Sequence, residues 1–184
     1  MSEKGKLIVI SGPSGAGKST IVFKAIEGRT DFCFSTSVTT RAPRAGEQDG
    51  REYFFVDRER YDRMVENGEL LEHAEFVGNC YGTPKSQVLE RLDNGITVVL
   101  DIEVQGAAQV KALMPEAVTV FLAPPSLEAL EQRLRGRGTE SDETIRSRLE
   151  TARKELLLAP TYDHTVVNDD ADRAAAELEA ILRA

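Results

Sequence analysis

The chain has 184 residues, 41% of them hydrophobic and 29% charged, with a formal net charge of −8, which suits one α/β domain and excludes disordered and disulfide-rich classes. Overall acidity speaks against a nucleic-acid-binding face, and apolar runs such as Ile96-Thr97-Val98-Val99-Leu100 are far too short to cross a bilayer. Cys33 and Cys80 lack metal or redox spacing and residues 1–6 are not followed by an apolar stretch long enough for a signal peptide, so reduced thiols, no secretory signal and a cytoplasmic location are expected.

Leu7-Ile8-Val9-Ile10 reads as a short buried strand. It runs into Gly12-Pro13-Ser14-Gly15-Ala16-Gly17-Lys18-Ser19-Thr20, which fits G-x-x-x-x-G-K-[ST], and Ile21, Val22, Ala25 and Ile26 then recur at helical spacing. Strand, glycine-rich turn and helix are the context this motif requires for a phosphate site. The glycines let successive backbone N–H groups point inward around an anion, and the helix N-terminus adds its dipole. Lys18 is expected on the β- and γ-phosphates and the Ser19 hydroxyl on Mg²⁺. The segment predicts binding of a nucleoside triphosphate.

Residues 32–39 read as a strand entering a loop, which Pro43 and Gly46 keep irregular. A strand over residues 52–56 is followed by Asp57 as the N-cap of a helix over residues 58–67, with Gly68 as its stop. A further strand over 70–77 ends at Gly78-Asn79, so residues 32–83 form a compact strand-rich insertion. Pro84 fits the first position of a helix carrying Val88, Leu89 and Leu92. Strands over 96–101 and 118–122 flank a helix over 104–114, although Gly106 weakens its propensity. Ser126 caps a helix with Leu127, Leu130 and Leu134, and Ser141 starts another with Ile145, Leu149, Ala152 and Leu156. This hairpin, with arginines around Gly136 and Gly138, reads either as a hinged lid over phosphates or as a solvated charged hairpin. A strand over 162–167 and a helix over 171–183 close the chain. Strands alternating with helices predict a parallel sheet covered on both faces.

Two arginine clusters lie outside the phosphate loop, Arg41, Arg44 and Arg51 in one and Arg133 to Arg153 in the other. Together with the small size and the lack of an Asn-Lys-x-Asp motif, they fit a second anionic substrate and neutralisation of a migrating phosphoryl group. From the residues alone, the chain reads as a small P-loop phosphotransferase.

Several longer segments resemble guanylate kinases. They are residues 37–47 (SVTTRAPRAGE), residues 50–55 (GREYFF), Glu72-His73-Ala74-Glu75-Phe76 with residues 78–83 (GNCYGT), residues 100–106 (LDIEVQG) and residues 133–140 (RLRGRGTE). The likeness runs in family order from the phosphate loop to Val167-Asn168-Asp169. It implies a P-loop parallel-sheet core over about residues 5–31, 84–125 and 160–184. It also implies a strand-rich monophosphate-binding insertion over about 32–83 and a helical lid over about 126–159.

The resemblance implies ATP + GMP → ADP + GDP with Mg²⁺, in GMP recycling, with dGMP as a possible acceptor. Carried over by position, Ser37, Arg41, Arg44, Tyr53 and Tyr81 hold the GMP phosphate. Glu72 and Thr83 read the guanine, with Asp101 and Glu103 nearby; Glu103 stands where many relatives have Asp. Arg133, Arg137 and Arg148 close on the triphosphate and the transferring group, and Asn168 lies near the adenine. Lys18, Arg41, Arg44, Arg137 and Arg148 form the catalytic set. No nucleic acid, membrane or obligatory protein partner is expected. Two other readings stay open: a related small kinase with another phosphorylated acceptor, and a catalytically inactive guanylate-kinase-like binding module.

Overall fold

A computed structural model describes residues 4–76, 78–136, 138 and 140–184. In chain order it holds β1 (Leu7–Ser11), α1 (Lys18–Ile26), β2 (Phe32–Phe34), β3 (Ser37–Thr39), β4 (Tyr53–Phe55), α2 (Arg58–Glu66), β5 (Leu70–Phe76), β6 (Asn79–Pro84) and α3 (Lys85–Asp93). Then follow β7 (Thr97–Asp101), α4 (Val104–Leu113), β8 (Val118–Ala123), α5 (Leu127–Gly136), α6 (Asp142–Leu156), β9 (His164–Val167) and α7 (Ala171–Arg183). Five strands form a parallel sheet in the order β2-β7-β1-β8-β9, and four more a second sheet in the order β4-β3-β6-β5. No helix among the described residues is long and apolar enough to cross a membrane.

The chain divides into two compact units, one built mainly from residues 31–100 and 105–117, the other from residues 8–30, 101–104 and 118–184. In the second unit β1 pairs in parallel with β8, Ile8 facing Val118, and β8 with β9, Val120 facing His164. β1 is buried along its whole length, as a strand covered on both faces must be. α5 and α6 meet through Leu130, Leu134, Ile145 and Ala152, with Leu127 and Leu149 at the margin. Burial of each leucine contributes about 1.5–3 kcal/mol. Ser141 caps α6 by accepting from the Thr144 N–H at 3.2 Å. α7 buries Ala174, Ala175, Leu178 and Leu182, one stripe at helical spacing.

The first unit carries the second sheet. β3 runs parallel to β4 and antiparallel to β6, placing Ser37 beside Tyr53 and Thr39 beside Tyr81. β5 and β6 form an antiparallel hairpin. Val38, Tyr61, Leu70 and Cys80 make the core beneath it, and Phe54, Val56, Met64 and Val65 pack around them. Asp57 caps α2 by accepting from Arg60 N–H at 2.7 Å, as its position before the helical run predicts.

Four local expectations change. The strand expected over residues 32–39 is two strands in two sheets: β2 pairs with β7, Phe32 facing Thr97, and Ser35 N–H still reaches the Val99 carbonyl before the chain leaves. Residues 32–34 therefore pair in the five-stranded sheet, not in the strand-rich insertion. β6 has no counterpart in the sequence reading, because Gly82 and Pro84 disguise it as a breaker-rich loop. A Cβ at Gly82 would stand 3.0 Å from the Glu72 carbonyl oxygen of the neighbouring strand, a tight approach that favours the glycine. Pro84 is the N-cap of α3, one position earlier than expected. The last strand starts at His164, because Tyr162 turns its ring edge onto Phe121 at 5.2 Å and Asp163 accepts from Thr119 N–H and Oγ1. Val77, expected at the end of β5, lies outside the described residues.

Candidate active site

In the second unit the loop after β1 is a cradle of backbone. Gly12 has φ +150° and passes so close to β8 that a Cβ would stand 2.1 Å from the Leu122 carbonyl oxygen. Gly17 has φ +91°, and a Cβ there would stand 2.5 Å from Asn168 Nδ2. Both positions need glycine for shape and for space. Ala16 N–H closes a turn onto the Pro13 carbonyl at 3.0 Å, and Lys18 Nζ donates to the Gly12 carbonyl at 2.7 Å.

The Ala16 carbonyl is held from behind. It accepts from Asn168 Nδ2 at 2.8 Å and Arg133 Nη1 at 3.3 Å, while Arg133 Nη2 donates to the Asn168 carbonyl at 2.7 Å. A trans peptide sets C=O and N–H on opposite sides, so fixing this carbonyl also fixes where the Gly17 N–H points. Asn168 and Arg133 thus grip the phosphate loop, a contact the sequence did not announce.

Ser19 Oγ donates to Asp101 Oδ2 at 3.1 Å. Asp101 keeps contact with solvent, yet protein crowding its carboxyl pushes its pKa up, against the pull of the Lys18 charge and the Ser19 hydroxyl. Arg148 donates to Ser14 Oγ at 2.7 Å and pairs with Glu140 at 2.6 Å. Pro13 is buried, Thr20 and Glu103 are exposed, and Gly15 packs under the Leu130 and Leu134 side chains. Arg137 lies outside the described residues. Glu155, in the last turn of α6, is a carboxylate the sequence reading passed over. Burial raises its pKa, repulsion from Glu103 adds to this, and Lys18 opposes it. Only its nearness to those two charges in the fold marks it.

In the first unit the polar groups are side chains on β3, β4, β5, β6 and the loop after β3. Arg41 forms a two-pronged pair with Glu47, Nη2 lying 2.9 and 3.0 Å from the two carboxylate oxygens, and Nη1 donates to the Ala42 carbonyl. Its guanidinium lies 5.4 Å from the Tyr53 ring centre and 5.9 Å from that of Phe55. Glu47 also accepts from the Arg44 N–H at 2.7 Å. The Arg41 bond, with the Arg44 N–H second, lowers the Glu47 pKa. Tyr53 and Tyr81 meet edge to face at 6.0 Å. Glu72, 5% exposed, accepts from Thr83 Oγ1 at 2.7 Å, and Thr83 is fully buried.

The units therefore divide the expected residues. Ser37, Arg41, Arg44, Tyr53, Glu72, Tyr81 and Thr83 belong to the first. The phosphate loop, Asp101, Glu103, Arg133, Arg148 and Asn168 belong to the second. A family model for guanylate kinase matches residues 4–184. The chain belongs to the guanylate kinase family.

Relatives agree with that membership. The chain is 53% identical to a guanylate kinase of Streptococcus thermophilus over 186 residues, covering 100% of this chain and 88% of that one. It is 54% identical to a guanylate kinase of Synechococcus sp. over 171 residues, 93% of this chain and 90% of that one. Among solved structures it is similar to a guanylate kinase from Anaplasma phagocytophilum, with a TM-score of 0.77 and 37% identity over 100% of this chain and 87% of that one. By that membership the chain is a nucleoside monophosphate kinase. The family likeness carried by residues 37–47 also contained Glu47, and its grip on Arg41 gives that acid a structural reason.

Proposed function

We propose that the chain transfers the γ-phosphoryl group of ATP to GMP, giving ADP and GDP, as a cytoplasmic enzyme of GMP recycling. The observation that carries the acceptor choice is the buried Glu72, tied to Thr83 within a sheet. A carboxylate accepts from guanine N1–H and the 2-amino group, whereas adenine offers an acceptor at N1 and no 2-amino group. With the wrong base, buried polar groups would be left unpaired at about 1–3 kcal/mol each. The deoxyribose of dGMP leaves these base contacts unchanged.

Ser37, Arg41, Arg44, Tyr53 and Tyr81 hold the GMP phosphate, since guanidinium forks and hydroxyls are strong donors to a dianion. On the donor side the loop from Gly12 to Thr20 wraps the triphosphate, Lys18 neutralises its far end, and Arg133 and Asn168 keep the loop in shape. Arg137 and Arg148 stabilise the charge that develops during transfer; Arg148 leaves Ser14 and Glu140 to do so. The acceptor oxygen is already anionic, so no general base is required. Ser19 and Asp101 place a hydroxyl and a carboxylate side by side, a donor set that suits a hard cation. Mg²⁺ held there would neutralise β- and γ-phosphate oxygens, with phosphates and water completing its shell. Lys18, Ser19 and Arg148 are all present, which favours an enzyme over an inactive binding module.

The test is a product balance followed by phosphorus NMR with ATP, GMP and Mg²⁺. One ADP and one GDP should form per turnover, and chelation of the metal should stop both. ADP and free phosphate without GDP would overturn the proposal.

A further inference from the structure

Glu72 lies on an edge strand, because β5 closes one side of its sheet. Edge strands leave N–H and C=O groups without a ladder partner. At His73 a side chain takes both. Gln109 of α4 accepts from the His73 N–H at 3.0 Å through Oε1 and donates Nε2 to the His73 carbonyl at 3.0 Å. A primary amide carries a donor and an acceptor side by side, so Gln109 gives one residue what a neighbouring strand would give it. Gly106, Ala107 and Val110 are buried on the same helix and anchor the residue that reaches out.

The location of this clip has a consequence. Leu70 faces Pro84 and His73 faces Gly82, so three steps on β5 span two on β6. The surplus residue is a bulge, and it lets Leu71 and Glu72 both be buried, at 1% and 5% exposure. In a regular strand with a period of two they would point to opposite faces. A bulge keeps its place only while the bonds on its flanks hold, and a slip of one residue would turn Glu72 outward. Thr83 fixes the carboxylate tip at 2.7 Å, and Gly82 lets the Glu72 carbonyl come close, 3.0 Å from where a Cβ would be.

We propose that Gln109 is a positioning residue for guanine selection: by bonding both backbone groups of His73 it locks the bulge that aims Glu72 inward. This rests on the base-reading role of Glu72. Gln109 itself touches no substrate.

The experiment is a double-mutant cycle on the full chain, reading KM and kcat for GMP and ATP. Gln109→Met keeps the length and removes both bonds. It should raise the GMP KM about tenfold, with kcat changed less than about twofold and the ATP KM unchanged. In a Glu72→Ala background the same substitution should add less than about twofold, because the group it positions is gone. Gln109→Glu keeps the acceptor for the His73 N–H and loses the donor; it should fall between wild type and Gln109→Met, and it serves if the methionine variant does not fold. Equal effects with and without Glu72, or an unchanged GMP KM in Gln109→Met and Gln109→Glu, would overturn the role of Gln109 alone. An unchanged GMP KM in Glu72→Ala would instead overturn the base-reading role beneath it.

Discussion

The two units solve the problem of holding an anionic nucleotide by different means. In the second, the cradle is backbone: glycines at positive φ shape the loop, and Asn168 and Arg133 grip its Ala16 carbonyl. In the first, the site is made of side chains from separate strands, and its charges are paired beforehand, Arg41 with Glu47 and Glu72 with Thr83. A backbone cradle takes any nucleotide's phosphates and gains little discrimination between bases. Side-chain pairs discriminate, since a wrong ligand leaves them unmatched. Under the proposed function, this difference gives generic phosphate binding to one unit and choice of acceptor to the other.

The largest effect should come from Lys18→Ala. Removing a charge that acts on the transferring group should lower kcat by about a thousandfold, while GMP affinity by calorimetry stays put. A parallel loss of GMP affinity would break the division of labour. Glu72→Ala is its mirror image: the GMP KM should rise about 10- to 100-fold, following the 1.4 kcal/mol per tenfold rule, with the ATP KM unchanged. A matching rise in ATP KM would erase the contrast.

Gly17→Ala sharpens the claim about backbone. A positive φ costs an L residue about 1–2 kcal/mol, and the new Cβ would meet Asn168. The ATP KM should rise about tenfold, and Asn168→Ala should not restore it, because the backbone strain remains. Full rescue would show that only the clash mattered.

The smallest effect belongs to Tyr61, which supports the first unit from below and donates to the Tyr81 carbonyl at 2.8 Å. Burial pushes its phenol up to about 12, from an ordinary value of 10.0. The fold therefore prefers the protonated ring. Below pH 10 folded and unfolded chains are both protonated and the contribution is constant; between about 10 and 12 the unfolded chain ionises first and stability falls. Tyr61→Phe should cost about 1 kcal/mol at neutral pH and flatten that alkaline slope in denaturant titrations, with kinetic constants unchanged. An identical slope in the variant would remove Tyr61 as its source.

Backbone-built structure was legible in the chain because it leaves glycines at fixed spacing. The phosphate loop, the Asp57 and Ser141 caps and the bounds of α7 all follow from local chemistry. The acceptor reading rests on resemblance, since Glu72 in isolation is one more acid. Its burial depends on a bulge and on Gln109, 37 positions later, and no local pattern encodes such a pairing. β6 was hidden by Gly82, which reads as a breaker in the chain and sits at a close strand approach. Glu155 is defined by charges that meet it only in the fold.

The most direct test of the account measures coupled ADP release with ATP and Mg²⁺, offering GMP, AMP, CMP and UMP separately to the wild type and to Glu72→Ala. Turnover with GMP should lie far above that with the other three, and this preference should be lost in the variant. Comparable turnover with AMP, or a GMP preference that survives removal of the Glu72 carboxylate, would contradict it.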